Sequence, residues 1–195
     1  MGNLIWDEAL TRLKAGNDRF TKDSLENLNY DSRLRKVLTQ GQQPYAIILS
    51  CADSRVVPEM VFDTGLGELF VIRVAGNIAN QSTLASIEYA VAHLDVNLIV
   101  VMGHESCGAV TAALQDGDAG SNNLNHLVEY IHPAKHACGA GADVNTVVKK
   151  NAELTAEALA ANSKIIQDEI ENDELKVFSA YYNLGSGKVD FFEEA

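Results

Sequence analysis

The stretch Tyr45-Ala-Ile-Ile-Leu-Ser-Cys-Ala-Asp-Ser-Arg55 is an apolar run followed by the reactive or charged residues Cys51, Asp53 and Arg55. Residues 45–50 have the length and composition of a strand buried on both faces, as in a parallel sheet. A second such run, Asn97-Leu-Ile-Val-Val-Met102, leads directly into Gly103-His-Glu-Ser-Cys-Gly108. Because ligands bind at the carboxyl ends of parallel strands, the two segments predict one shared site there.

The rest of the chain alternates between strand and helix patterns, which predicts an α/β fold. Glu68–Val74 is a third strand pattern, and two more, 176–183 and 188–192, are joined by a glycine turn. We therefore expect a mainly parallel central sheet flanked by helices, with an antiparallel C-terminal edge. Predicted helices are Leu4–Phe20, Leu34–Leu38, Ser82–Leu94 with Ser82 as N-cap, Ala109–Leu114, Leu124–Ala137 and Val144–Ile170. No linker divides the sequence, so we predict one domain over residues 1–195 with an N-terminal helical arm over about 1–40.

Composition excludes several classes of protein. The formal net charge of -12 argues against nucleic acid as a partner, because phosphate binding needs clustered Lys and Arg. It indicates a well-solvated acidic surface, with adaptation to high salt left open. The apolar runs are too short to span a bilayer, so no membrane partner is expected. The N-terminus does not resemble a signal peptide, and we expect a cytoplasmic protein, although a trimmed leader would look the same.

Three of the residues at the two strand ends have the side chains that zinc prefers. Cys51, His104 and Cys107 supply two sulfurs and one nitrogen, and the first two are 53 positions apart (104 − 51). Three protein ligands leave the fourth position open, as in catalytic zinc sites. Two alternatives remain: a closed structural site with Asp53 as fourth ligand, or no metal, with two buried core cysteines and a loop histidine.

Asp53 and Arg55 have a use only if the site is catalytic. Two thiolates cancel the charge of Zn²⁺, so the groups around the site must help to activate a bound nucleophile. Asp53 can accept a hydrogen bond from that nucleophile, and Arg55 can restrain Asp53 by a bidentate pair. An unrestrained Asp53 could instead swing onto the zinc and close the site.

A second cluster, His132, His136 and Cys138, has metal-capable spacing because its histidines are one helical turn apart. We interpret it as a surface helix end near Pro133. His93 and His126 could each shuttle protons, and the sequence does not select between them.

At these motifs the chain resembles the β-class carbonic anhydrases. Cys-Ala-Asp-Ser-Arg at 51–55 and Gly-His-Glu-Ser-Cys-Gly at 103–108 match the two family signatures, and 68–77 and 87–91 match as well. The resemblance covers almost the whole chain and implies a single β-carbonic anhydrase domain. It implies reversible hydration of CO₂ to bicarbonate and one Zn²⁺ per subunit, bound by Cys51, His104 and Cys107. In the family, residues in the positions of Asp53 and Arg55 form the activating dyad. The resemblance also implies a homodimer or homotetramer.

The resemblance also assigns pocket residues. Gln42 is similar to a glutamine that hydrogen-bonds bicarbonate, and Phe70 and Tyr89 resemble apolar lining residues near a dimer interface. Ala75 replaces a bulkier aliphatic residue, which suggests a wider pocket, and Gly108 also belongs to the pocket set. Ile48 stands where bicarbonate-inhibited members carry tryptophan. We therefore expect no inhibitory bicarbonate site, and a zinc that stays open near neutral pH with Asp53 off the metal.

Two other functions remain open at this point. The wider pocket suggested by Ala75 would suit hydrolysis of a related heteroallene, carbonyl sulfide, on the same fold. A non-catalytic zinc-binding assembly protein is the third reading, and the joint presence of Gln42, Asp53 and Arg55 argues against it.

Overall fold

A computed structural model describes residues 4–27 and 30–194, and its centre is a five-stranded sheet in the order β2-β1-β3-β4-β5. The first four strands in this order run parallel, and β5 pairs antiparallel with β4, as predicted. The strands are β1 (Ala46–Ser50), β2 (Leu69–Arg73), β3 (Leu98–His104), β4 (Lys176–Tyr182) and β5 (Val189–Glu194). The helices are α1 (Trp6–Thr21), α2 (Ser32–Leu38), α3 (Pro58–Val61), a 3₁₀ helix η1 (Ala75–Asn77), α4 (Gln81–Leu94), α5 (Gly108–Leu114), α6 (Asn122–Glu129), α7 (His132–Cys138), α8 (Val144–Asn162) and α9 (Lys164–Glu171).

Helices cover both faces of the sheet because side chains alternate along each strand. Ile48 faces one side and packs in a core cluster with Leu10 and Leu13 of α1. Ile47 and Leu49 face the other side, in a cluster to which α4, α8 and α9 contribute apolar residues. The prediction of a central sheet flanked by helices is therefore confirmed.

The register of the sheet explains why the two motifs meet. Ser50, the last residue of β1, pairs with Met102 of the neighbouring parallel strand β3. Cys51 leaves β1 at that point, and His104 is the last residue of β3. Both residues thus reach the same edge of the sheet, at the carboxyl ends of adjacent strands.

Two stretches predicted as single helices are each divided into two helices in the structure. The stretch 124–137 is split into α6 and α7, because Pro133 lacks the N–H that would continue the helix. The stretch 144–170 is split at Ser163, whose hydroxyl accepts a hydrogen bond from the N–H of Ile166 and so starts α9. Ser82 is not the N-cap of α4: Asn80 is, and its side chain accepts from the N–H of Thr83 at 3.0 Å.

Asp63, which follows α3, holds the segment after α1 against the body of the chain. Its buried carboxylate pairs with Arg19 and accepts the backbone N–H groups of Glu26 at 3.1 Å and Asn27 at 3.0 Å. Burial works against the charged form, but these donors keep the pKa of Asp63 below its usual value.

The single domain and the N-terminal arm remain predictions. Within the described residues, no helix combines the length and the apolar character that a bilayer crossing needs.

Candidate metal centre

The structure brings Cys51, His104 and Cys107 together at the edge of the sheet. Cys51 directly follows β1, His104 ends β3, and Cys107 immediately precedes α5. Their ligand atoms all lie within 4.8 Å of one another, and the two sulfurs are 3.9 Å apart. All three residues are buried. A set of two sulfurs and one imidazole nitrogen at this spacing suits a single zinc ion.

The hydrogen bonding of the His104 imidazole shows whether this group of residues fits a metal ion. Its Nδ1 lies 2.9 Å from the carbonyl oxygen of Glu105, to which it can donate a hydrogen bond. The Nε2 atom then carries a lone pair, and it is buried with no hydrogen-bond partner among the described residues. Leaving such a group unpaired costs about 1–3 kcal/mol, so a ligand is expected. A metal ion facing the two sulfurs satisfies this atom, and the backbone hydrogen bond fixes the tautomer.

The thiol of Cys51 is placed to become a thiolate. The nearby Cys107 thiol donates to it, and this contact, with help from the Gly76 N–H at 3.4 Å, lowers the pKa of Cys51. The pKa of Cys107 is raised, because its thiol proton is held in the hydrogen bond to Cys51, because burial disfavours a thiolate, and because a second charge beside Cys51 is unfavourable. A bound metal cation would relieve that repulsion, since thiolates are the form in which cysteine binds metals.

Asp53 is held beside the cluster by Arg55. The guanidinium donates from Nε to Oδ1 at 2.9 Å and from Nη2 to Oδ2 at 2.7 Å. This hydrogen-bonded pair holds the pKa of Asp53 well below its usual range. The Oδ2 atom lies 3.9 Å from His104 Nε2, so a permanently charged acceptor borders the position where a metal would sit.

Arg73 and Gly76 were not assigned roles from the sequence, yet both touch the centre. Arg73 donates from Nε to the carbonyl of Cys51 at 3.0 Å and from Nη2 to the carbonyl of Asp53 at 2.6 Å. Gly76 has φ +73°, and a Cβ there would lie 2.8 Å from the Ile131 side chain. The pairing of β1 with β2 could have revealed Arg73, but a backbone N–H donor such as that of Gly76 leaves no side-chain signal.

The remaining predicted pocket residues divide into two groups. Ala75 starts η1 beside Gly76, and Gly108 starts α5 beside Cys107, so both lie next to the cluster along the chain. A Cβ at Gly108 would meet no described atom within 4 Å, so the space beside it is open. Ile48 is fully buried within β1.

Gln42, Phe70 and Tyr89 are not brought to the cluster of their own chain. Gln42 is exposed in the loop before β1, and that five-residue strand, roughly 17 Å long, lies between it and Cys51 along the chain. Phe70 pairs with Ile47, near the amino end of β1. Tyr89 is 49% exposed on α4, and its ring centroid lies 6.4 Å from that of Phe70.

The second cluster of candidate ligands, His132, His136 and Cys138, lies on α7. The rings of His132 and His136 are 6.2 Å apart, and Cys138 contacts the carbonyl of Thr146 at 3.9 Å. Across residues 4–27 and 30–194, Cys51, His104 and Cys107 are the one group of three such ligands near enough to share an ion. Of the two candidate proton shuttles, His93 packs on Tyr89 and His126 lies 3.6 Å from Glu129.

The family model and the most similar curated proteins assign the chain to the same family. Residues 46–189 match the family described as carbonic anhydrase. The chain is 38% identical over 181 residues to carbonic anhydrase 2 of Mycobacterium tuberculosis, covering 90% of this chain and 87% of that protein. It is 38% identical over 184 residues to a carbonic anhydrase of Mycolicibacterium smegmatis, covering 91% and 89%.

Solved structures agree with the sequence relatives. The β-carbonic anhydrase of Coccomyxa superposes with a TM-score of 0.76 at 26% identity, covering 95% of this chain and 87% of that one. One of the tetrameric β-carbonic anhydrases of Sordaria macrospora gives a TM-score of 0.74 at 26% identity, covering 95% and 97%.

Proposed function

This chain belongs to the β-class carbonic anhydrase family, and we propose that it catalyses the reversible hydration of CO₂ to bicarbonate and a proton with one zinc ion per subunit. One observation carries the zinc site: the buried, unpaired Nε2 of His104 faces two cysteine sulfurs, with the Asp53 carboxylate 3.9 Å away. That arrangement has three metal ligands and a separate acceptor.

Cys51, Cys107 and His104 would hold the ion, and its preference for four ligands leaves one position for a small molecule. When bound, zinc supplies Lewis acidity that lets water serve as a nucleophile near neutral pH. The protein supplies the surroundings: buried ligands, a fixed histidine tautomer and a backbone N–H on one sulfur.

Asp53 orients the nucleophile. Because Arg55 keeps its pKa low, the carboxylate is an acceptor only, and it can take a hydrogen bond from a water beside His104 Nε2. That contact turns an oxygen lone pair toward CO₂. The bidentate pair also keeps Asp53 from moving onto the metal, which supports the expectation of an open site. Arg55 is half exposed, so the released proton can reach solvent on this side.

We also propose that the pocket is completed by a second copy of the chain. Gln42 precedes β1 and Phe70 pairs near the amino end of that strand, whereas the metal centre follows its carboxyl end, and β2, the strand that carries Phe70, is an edge of the sheet. An exposed edge and a half-exposed tyrosine suit contact with another subunit. The tetrameric assembly of the Sordaria macrospora proteins supports a homo-oligomer.

Stopped-flow CO₂ hydration with a pH indicator tests the function. We expect zinc-loaded protein to exceed the buffer rate, metal-stripped protein to fall to it, and Asp53→Ala to lose about 10- to 100-fold in kcat/KM. Zinc-loaded protein no faster than buffer would refute the proposal and favour a non-catalytic zinc-binding protein. Faster turnover of carbonyl sulfide than of CO₂, measured with the same samples, would replace it with the heteroallene hydrolase.

A further inference from the structure

Helix α8 contacts the His104–Cys107 side of the metal centre through Asn145. The side-chain oxygen of Asn145 accepts the backbone N–H of Ser106 at 2.9 Å. Ser106 lies between the two ligands and has φ +54°, a conformation that L-residues seldom adopt. Such a strained turn needs support from its surroundings, and Asn145 provides it from another element.

The same helix contacts the Cys51 side through Asn151. Asn151 is only 2% exposed, and its amide donates to the carbonyl oxygen of Gly76 at 2.9 Å. The N–H of Gly76 in turn points at the Cys51 sulfur at 3.4 Å. Asn151 therefore fixes the residue that hydrogen-bonds a metal-binding thiolate.

A third contact lies between these two. Gly103 precedes His104 in β3, and a Cβ on it would lie 2.8 Å from the Val148 side chain and 3.2 Å from the Val148 carbonyl oxygen. The backbone of α8 thus packs directly on the strand end. Residues 145, 148 and 151 are three apart and share one helix face, along about 9 Å of helix.

We propose that Asn145 and Asn151 are positioning residues through which α8 sets the distance between the two halves of the metal centre. Cys51 comes from one strand end and His104 with Cys107 from the other, and α8 is hydrogen-bonded to both loops. Zinc binds tightly only when its ligands are held in tetrahedral geometry, so loosening either loop weakens binding without removing a ligand. The inference rests on the metal site proposed above, but not on the reaction.

Asn145 and Asn151 have opposite hydrogen-bond roles, so the same substitution has different expected effects at the two positions. Asn145 accepts, so Asn145→Asp keeps its function and Asn145→Leu removes it. Asn151 donates, so both Asn151→Asp and Asn151→Leu remove its function. Thr155→Val is a matched control, because Thr155 is also buried on α8 but contacts neither loop in the described hydrogen bonds.

The measurement is Zn²⁺ and Co²⁺ affinity by chelator competition, with the absorption spectrum of the Co²⁺ form. We expect Asn145→Leu, Asn151→Leu and Asn151→Asp to weaken metal binding about 10-fold, with Asn145→Asp and Thr155→Val at the wild-type level. Loss of the Gly76 contact to Cys51 should also shift the thiolate-to-cobalt band in the Asn151 variants alone.

Wild-type affinity in both leucine variants would overturn the inference, as would equal loss in Asn145→Asp and Asn145→Leu. Should the buried Asn151 variants not fold, the pair at the less buried position 145 decides the matter. A chain that binds metal but does not hydrate CO₂ would refute the proposed function and leave this test in force. A wild-type chain that binds neither ion would refute both.

Discussion

The tripeptide Asp-Ser-Arg occurs twice in this chain, at residues 31–33 and 53–55, in two different settings. In both copies the arginine donates two side-chain hydrogen bonds to the aspartate. Asp31 is exposed and caps α2 by accepting the N–H of Leu34. Asp53 instead lies at a strand end, 3.9 Å from the unpaired nitrogen of His104. The same local pair is therefore a helix cap in one place and a candidate catalytic group in the other.

The copy at residues 31–33 provides a matched control for the copy at residues 53–55. We expect Arg55→Leu to lower kcat/KM for CO₂ hydration about 10- to 100-fold, because Asp53 loses its restraint, and Arg33→Leu to leave it unchanged. Stopped-flow hydration at saturating zinc measures both variants. Equal losses would mean that the Arg55 pair contributes only to folding.

At the scale of single residues, the metal-binding side chains could be predicted from the sequence, but the backbone groups that contact them could not. Cys51, His104 and Cys107 are recognisable because few other residue types bind zinc and because each lies at or just after the carboxyl end of a buried strand. Asn151 gives no such signal, since asparagine on a helix is common and its partner Gly76 is 75 positions away (151 − 76).

The short η1 element shows how much the centre depends on backbone geometry. Gly76 adopts φ +73°, and the space beside it is filled by the Ile131 and Ala109 side chains. The strands were predictable because buried parallel strands are continuous apolar runs. The break at Pro133 could have been predicted from the missing N–H of proline, although the apolar period continues through it. The break at Ser163 was not predictable, because the apolar period continues there and a single hydroxyl decides the break.

Gly76→Ala should therefore destabilise the fold more than an alanine at an open glycine. Gly117 has a comparable φ of +98° with no described atom within 4 Å of its Cβ position, so Gly117→Ala measures backbone strain alone. We expect Gly76→Ala to lose about 1–3 kcal/mol more than Gly117→Ala through crowding. Urea unfolding of both variants gives the difference, and equal free energies of unfolding would show that the neighbours yield.

For the molecule as a whole, the candidate pocket residues divide between opposite ends of the sheet. Gln42 lies before the amino end of β1, and the metal centre lies after its carboxyl end. Sequence motifs marked both ends as parts of one site. They do not show which subunit would supply each residue of the shared site that we propose, because a sequence does not record this.

Subunit mixing tests this arrangement. Gln42→Ala and Asp53→Ala chains should each be impaired, but a mixed dimer contains one site with both residues intact. After equal mixing and random exchange, about a quarter of the sites should regain wild-type CO₂ hydration. Activity equal to the average of the two separate variants would show that each chain builds its own site.

Asp63 has a consequence for how the chain comes apart in acid. Its folded pKa lies below the usual value near 3.9, so its stabilising contribution is complete above that pH and is lost as the pH falls through the folded pKa. Protonation would release Arg19 and the backbone of residues 26–27 together. An acid-active protease should then cut near residues 22–27 before it cuts the sheet. Asp63→Asn removes the charge at every pH, so it should open the same segment to a neutral protease at pH 7. The Asp63 carboxylate would then decide where digestion of the protein begins.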